Sequence, residues 1–189
     1  VNLGGIILAG GESRRMGRPK ALLAYRGSTF LEHLVELLLE FCDPVLCVTG
    51  AHDAEIRAAV TARLVYNPEW GHGQLTSLQA GLRALPPATE RVLFTLVDHP
   101  AVERATIARL RTSSAPVSIP RHAGRRGHPV LFDAALIPEF LALPADRSAR
   151  DVLERHAAKI EYMDVEDPSV LADIDDAEAY RRLDEAAAQ

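Results

Sequence analysis

The chain has 189 residues, of which 48% are apolar and 25% charged, and its formal net charge is −5 at neutral pH. That length suits one domain with a full core, residues 1–189, and the composition is that of a soluble globular protein. No apolar run reaches bilayer length, no basic segment opens onto a long apolar stretch as in a secretory signal, and the acidic balance argues against general nucleic-acid binding.

Residues 3–9 are apolar and run into Gly10-Gly11, the pattern of a buried strand entering a loop. Over 28–41, Phe30, Leu31, Leu34, Val35, Leu37, Leu38 and Phe41 recur with helical spacing, and Ser28 or Thr29 is a candidate cap. Cys42 and Cys47 lie five apart with no partner histidines, which makes neither a zinc site nor a disulfide framework. They read as reduced, packed thiols, and the expected compartment is the cytoplasm. Residues 45–49 form a second expected strand, 53–62 a helix capped by Asp53, and 64–66 a short strand ending at Asn67-Pro68. A helix over 74–85 stops at Pro86-Pro87, and a strand over 91–97 ends in Asp98-His99-Pro100. A helix follows over 103–111, then strands over 116–119 and 129–132 around a glycine-containing loop, and helices near 134–142 and 148–156. A last strand over 159–165 and a last helix over 177–188 complete the pattern. Alternating strands and helices predict an α/β fold: a Rossmann-like three-layer α/β/α sandwich on a mostly parallel, mixed sheet. The hairpin of the 120s is expected to make a partly antiparallel edge.

The cations are not spread evenly. Residues 10–20 carry Arg14, Arg15, Arg18 and Lys20 against Glu12 alone, and residues 121–128 carry Arg121, Arg125 and Arg126 with His122, His128 and no acid. The stretch from Glu161 onward is acidic. An acidic chain with cations on two glycine-containing loops points to an anionic ligand. In open α/β sheets ligands bind beyond the carboxyl ends of strands, and the first loop leaves the first strand there. Gly10 and Gly11 clear space for backbone N–H groups to approach phosphate oxygens, Gly17 permits a bend, and Arg15 and Lys20 supply charge. Glycines at 10, 11 and 17 do not make the Gly-x-Gly-x-x-Gly of dinucleotide loops, and Pro19-Lys20-Ala21 does not make the Gly-Lys-Ser/Thr of a P-loop. A surface loop with solvated charges is the plain alternative.

Leu8-Ala9-Gly10-Gly11, followed by Arg15-Met16-Gly17 and Lys20, resembles the signature of nucleotidyltransferases that activate sugars, terpenoid precursors and the molybdenum cofactor. Within that group the sequence is most similar to the molybdenum cofactor cytidylyltransferases and their guanylyltransferase relatives. The resemblance spans essentially the whole chain, because four further motifs follow in order. Asn67-Pro68 with Gly73-Gln74 and Ser77-Leu78 resembles the segment that lies against the nucleotide base. Asp98-His99-Pro100 resembles the family's Asp-x-Pro, whose Asp serves the metal; a carboxylate at a strand's end suits Mg²⁺, which takes one or two carboxylates plus substrate phosphates. Arg125-Arg126-Gly127-His128-Pro129 resembles the acceptor-facing segment of the cytidylyltransferase branch, and its arginines suit a phosphate or a pterin-like ring. His128 is read as binding or structural, since a phosphate monoester is already largely ionised and needs no base. Asp173 and Asp175 alternate around Ile174 and on an extended segment share one face; the resemblance places a metal carboxylate here, with Asp173 the choice and Asp175 the open alternative. Asp176-Ala177 stands where many relatives have Thr-Pro, a departure that affects helix capping only.

The resemblance implies transfer of CMP from CTP to the phosphate of molybdopterin, with Mg²⁺ as cofactor and pyrophosphate as leaving group. It assigns Lys20, Arg15 and Asp98 to catalysis, Leu8, Ala9, Gly10 and Gly11 with Asn67, Gly73, Gln74 and Ser77 to the nucleotide, and the 125–129 loop to the acceptor. GTP, another phosphorylated acceptor, and a non-catalytic cofactor chaperone on the same fold stay open at this point. A nicotinamide oxidoreductase is disfavoured by the failed dinucleotide motif. A transient contact with a molybdoenzyme or its chaperone would follow from such a product.

Overall fold

A computed structural model describes residues 1–188. The strands are β1 (Leu3–Ala9), β2 (Ala24–Tyr25), β3 (Ser28–Thr29), β4 (Val45–Thr49), β5 (Arg63–Tyr66), β6 (Arg91–Leu96), β7 (Val117–His122), β8 (Arg125–Arg126), β9 (Val130–Asp133) and β10 (Ile160–Asp164). The helices are α1 (Phe30–Leu39), α2 (Asp53–Ala59), α3 (Gln74–Ala84), α4 (Arg104–Leu110), α5 (Ile137–Ala142), α6 (Ala149–Arg155) and α7 (Ala177–Ala187). The main sheet has eight strands in the order β10-β7-β9-β6-β1-β4-β5, with β8 paired to β7. β6, β1, β4 and β5 run parallel, β10 runs parallel to β7, and β9 is antiparallel to both β6 and β7.

The expected antiparallel edge is therefore an interior feature. β9 lies between β6 and β7, and the outer edges are β10 and β5. Val130, Leu131 and Phe132 on β9 are all buried, as a strand covered on both faces requires. Two short pieces escaped the sequence pattern: the β2–β3 hairpin and β8, each only two residues per strand. Periodicity needs a longer window than that to register.

β1 shows why the sheet is covered twice. Leu3, Ile7 and Ala9 enter one apolar cluster with Phe30, Leu31, Leu34 and Leu38 of α1, Ile56 of α2, and Ile107 and Leu110 of α4. Ile6 and Leu8 enter the other, with Leu75, Leu78 and Leu82 of α3, Phe140 of α5 and Val152 of α6. Alternate residues feed opposite faces, so the strand reads as an unbroken apolar run. α1 starts with a capping box: Thr29 Oγ1 accepts from Glu32 N at 3.2 Å, and Glu32 accepts from Thr29 N at 3.0 Å. Asp53 does not cap α2. It is the first helical residue and accepts hydrogen bonds from Thr49 and Arg57 instead. Asp176 caps α7 by accepting from Ala179 N at 2.8 Å, so Asp-Ala in place of Thr-Pro preserves the helix start. No helix among the described residues is long and apolar enough to cross a membrane.

The segment between β10 and α7 is fixed by a buried carboxylate. Asp167 accepts from Glu103 N at 2.9 Å, Thr106 Oγ1 at 2.8 Å and Ser169 N at 2.9 Å, and it is 2% exposed. It caps α4 from across the chain and anchors the tail. Asp167→Ala leaves three donors without their acceptor, the buried Thr106 hydroxyl and two half-buried main-chain N–H groups, so it should destabilise the fold by about 3 kcal/mol, or roughly 10 °C in Tm, measured by urea and thermal unfolding.

Candidate active site

The carboxyl ends of β1, β4 and β6 open on a cavity of 640 Å³. Its walls include Leu8, Ala9, Gly10 and Gly11 at the end of β1, with Arg15 and Lys20 beyond them. Gly73, Gln74 and Ser77 enter from the start of α3, Asp98 from the end of β6, and Asp175 from the tail. Gly73 has φ +119°, a backbone state that suits glycine, as the chain turns into α3. A Cβ at Gly10 would lie 2.7 Å from Ser77 Oγ, whereas one at Gly11 would meet nothing within 4 Å. The first glycine is therefore needed for packing against α3, and the second leaves the cavity open.

Lys20 is the centre of the charge arrangement. Its Nζ donates to Asp175 Oδ1 at 2.5 Å and to Asp98 Oδ2 at 3.3 Å. The Lys20 side chain is 15% exposed, and those of Asp98 and Asp175 are 19% and 33% exposed. Arg15 reaches within 3.8 Å of Asp175 Oδ2. Asp98 Oδ1 is buried without a hydrogen-bond partner among the described residues, 3.8 Å from His99 Nε2. The hydrogen bond from Lys20 holds the Asp175 carboxyl below the usual range, and the charges of Lys20 and Arg15 add to it.

The structure gathers most of the residues picked from the sequence. Leu8, Ala9, Gly10, Gly11, Arg15, Lys20, Gly73, Gln74, Ser77 and Asp98 all line this cavity. Asn67 is buried behind it and donates to Thr76 Oγ1 and Ser77 Oγ at 2.9 and 3.0 Å, so it sets the start of α3. The second carboxylate at the cavity is Asp175, not Asp173: Asp173 is exposed and does not line the wall. Sequence alternation puts both on one face of an extended segment, but it does not say which one the chain aims inward.

A second cavity of 490 Å³ adjoins the first, and Gln74 lines both. Its walls are Arg126, Gly127 and His128 from one side, Ser148 and Arg150 at the start of α6 from the other, and Phe94, Ile119, Val130 and Leu153 between them. Arg125 and Pro129 do not line it. Arg121, the remaining cation of that cluster, is paired with Asp164 of β10 at 2.7 Å. Arg126 and Arg150 form no ion pair among the described residues. Arg150 was not legible beforehand, because it sits in an amphipathic helix like any solvated arginine.

Gly127 is the close-approach glycine here: a Cβ would lie 2.1 Å from Val170 O. His128 N donates to that same carbonyl at 2.9 Å. Burial, with a smaller contribution from His99, pushes His128 down to about 3, so its ring is neutral at neutral pH. It packs edge-on against Phe94 at 5.6 Å between ring centres. That environment fits a structural role and leaves the ring unable to hold a proton for acid–base chemistry.

Asp98 and Asp175 are also the groups suited to a divalent cation. Among the described residues no three His, Cys, Asp or Glu side chains gather as a closed metal cage. Two carboxylates at an open cavity wall suit a hard divalent cation that takes only part of its coordination from the protein.

Residues 5–160 match the MobA-like NTP transferase domain. Across 194 aligned residues the chain is 34% identical to the nicotine blue oxidoreductase of Paenarthrobacter nicotinovorans, covering 95% of each. It is 28% identical over 170 residues to the molybdenum cofactor cytidylyltransferase of Escherichia coli K12, covering 85% of this chain and 86% of the other. A probable molybdenum cofactor guanylyltransferase of Mycolicibacterium paratuberculosis is 44% identical over 103 residues, about half of each chain (53% and 51%). The crystal structure of Rv0371c from Mycobacterium tuberculosis H37Rv superposes with a TM-score of 0.85 at 27% identity, covering 98% of this chain and 99% of that one.

Lys20→Met tests the charge arrangement. Because Asp175 is held below its usual value, its ionised form adds stability that is present above about pH 4 and is lost as pH falls through the lowered value. In the variant that contribution is absent. The stability gap between the two proteins, read by urea unfolding across acid pH, should shrink below about pH 4; a gap that stays constant would detach Asp175 from Lys20.

Proposed function

The chain belongs to the MobA-like NTP transferase family, and from that premise we propose that it transfers CMP from CTP to the phosphate of molybdopterin, releasing pyrophosphate. The observation that carries the reading is the adjacency of two unlike cavities. One holds the Lys20, Asp98 and Asp175 cluster beneath a glycine-rich loop, the other holds Arg126 and Arg150 against apolar walls, and Gln74 lines both. A nucleoside triphosphate suits the first, and a flat phosphorylated heterocycle suits the second.

In this reading an oxygen of the acceptor phosphate attacks the α-phosphorus of CTP. The bond from that phosphorus to the bridging oxygen of the leaving group breaks, and pyrophosphate departs with the electron pair. Lys20, Arg15 and the amides of the Gly10-Gly11 loop neutralise the triphosphate and the charge that builds on the leaving group. Asp98 and Asp175 would hold Mg²⁺, which neutralises and orients the two phosphates when bound. Asp175 takes the place that the sequence pattern gave to Asp173, because it is the one aimed into the cavity. The acceptor phosphate arrives largely ionised, so positioning does the catalytic work and the neutral His128 needs no proton to give. A cytoplasmic setting suits Cys42 and Cys47, both free and buried, whose thiols burial pushes up to about 12.

Two alternatives have specific support. The guanylyltransferase relatives favour GTP, which keeps the chemistry and changes the base. The nicotine blue oxidoreductase relative raises hydride transfer, against which stands the first loop with its glycines at 10, 11 and 17. Equimolar CTP and GTP with Mg²⁺ and molybdopterin, products identified by mass, decide the base. A guanylylated product overturns the CTP assignment alone. Pyrophosphate release absent with either nucleotide, together with oxidation of a reduced nicotinamide in the presence of nicotine blue, overturns the transferase reading for this chain.

Asp98→Asn should abolish pyrophosphate release while changing Tm little, since the amide keeps the shape and loses the anion. A loss of at least about 10²-fold is expected where a preorganised charge is removed from a transition state. Arg126→Ala and Arg150→Ala should each raise the KM for molybdopterin about tenfold and leave that for the nucleotide near its original value. Arg125→Ala should have the smaller effect, because Arg125 lies off the wall. Equal effects on both substrates would remove the division of labour between the cavities.

A further inference from the structure

His52 immediately precedes α2 and lines the first cavity. Its Nε2 lies 2.8 Å from the main-chain carbonyl oxygen of Glu12, inside the glycine-rich loop. Its Nδ1 lies 3.1 Å from Glu55 Oε1 in the first turn of α2. A carbonyl oxygen and an ionised carboxylate can only accept. A neutral imidazole carries one N–H, so it would satisfy one partner and turn a lone pair on the other. The imidazolium alone donates to both.

The loop has few other supports. Gly10 O accepts from Ala51 N at 3.2 Å, and Lys20 N donates to Ser13 Oγ at 3.1 Å. The turn between β4 and α2 thus holds two carbonyls of the loop, those of Gly10 and Glu12. In a trans peptide the C=O and the following N–H point in opposite directions. Holding those two carbonyls against the turn directs the N–H groups of Gly11 and Ser13 the other way, and both residues line the cavity.

We infer that His52 is a positioning residue for the triphosphate: as an imidazolium it holds the Glu12 carbonyl and aims the loop's amides at the anionic ligand. The inference rests on the loop's assignment to the triphosphate. The charged groups that face the ring are Glu12 from the loop and Glu55 from its own helix. Arg14 is occupied by the Glu12 carboxylate, and Asp53 by Arg57 and Thr49. The hydrogen bond to the Glu12 carbonyl is the largest effect and raises His52 above its ordinary value; burial opposes it, and the hydrogen bond and charge of Glu55 add to the rise. The bridging contribution is therefore complete in acid and is lost as pH rises through that raised value.

The test uses Mg²⁺-pyrophosphate, which reads the loop without the base or the acceptor. Its Kd is measured by calorimetry from about pH 5.5 to about pH 9, on either side of the ordinary histidine value, for the native chain, His52→Gln and Glu55→Gln. Glutamine can donate to the Glu12 carbonyl but does not titrate. The native chain should bind about tenfold more tightly than His52→Gln in acid, the worth of one charge-assisted hydrogen bond, and the ratio should approach one in base. The ionisation of pyrophosphate is common to both proteins and cancels in the ratio. Glu55→Gln should move the change in ratio to lower pH, because it removes the carboxylate that favours the imidazolium. A ratio independent of pH, or a Glu55→Gln profile identical to the native one, overturns the role of His52 while leaving the loop's assignment intact. Failure of the native chain to bind pyrophosphate at any pH overturns both.

Discussion

One ammonium group held between two carboxylates organises this molecule's chemistry. Lys20, Asp98 and Asp175 come from the first loop, the end of β6 and the tail, and they converge only in the folded chain. Neither carboxylate is sunk in the core and neither is free in water. Burying the pair without Lys20 would set two like charges against each other at low dielectric, and exposing it would surrender the field a phosphate can use. The sheet resolves this by ending β1 and β6 side by side, so that Lys20 reaches across from the loop that leaves β1.

Around that centre, charge is sorted by wall. The first cavity mixes cations with the carboxylates of Glu12, Asp98 and Asp175 and so can take a polyanion together with a divalent cation. The second has two arginines and an apolar floor, and suits an anion carried on a hydrophobic body. In a chain of net charge −5, several basic groups are taken up in surface pairs such as Arg57–Asp53 and Arg121–Asp164. Arg126 and Arg150 have no ion-pair partner among the described residues, and both face the same space. Two cations that share one cavity wall without an acid beside them give that wall a positive field inside a protein that is acidic overall.

The sequence made the layered fold readable because β1, β4 and β6 are apolar runs bounded by glycine or proline and α1 has clean helical spacing. The first loop was readable because cations and glycines crowd into eleven residues, and Asp98 because a carboxylate follows a largely apolar strand. Other features were hidden for identifiable reasons. β9 looked like an edge because pairing partners far apart in sequence leave no local mark. Asp175 could not be told from Asp173 by alternation alone, since the decision lies in the bond from Ile174 N to Asp98 O, at 2.8 Å, which fixes how the tail approaches. Arg150 and His52 carry no pattern of their own; each acquires meaning only from what the fold places opposite it.

The tail from Pro168 to Asp175 touches both cavities. Val170 O receives the N–H of His128 in the 120s loop, Ile174 N reaches Asp98 O, and Asp175 meets Lys20. The family match ends at residue 160, so it includes one partner of each contact and leaves out the tail's own. Descent should therefore treat the 120s loop and this tail as a single inherited cassette. A lineage that altered one would have to alter the other in step, and a chimera joined between them would inherit two halves of a clasp that were never fitted to each other.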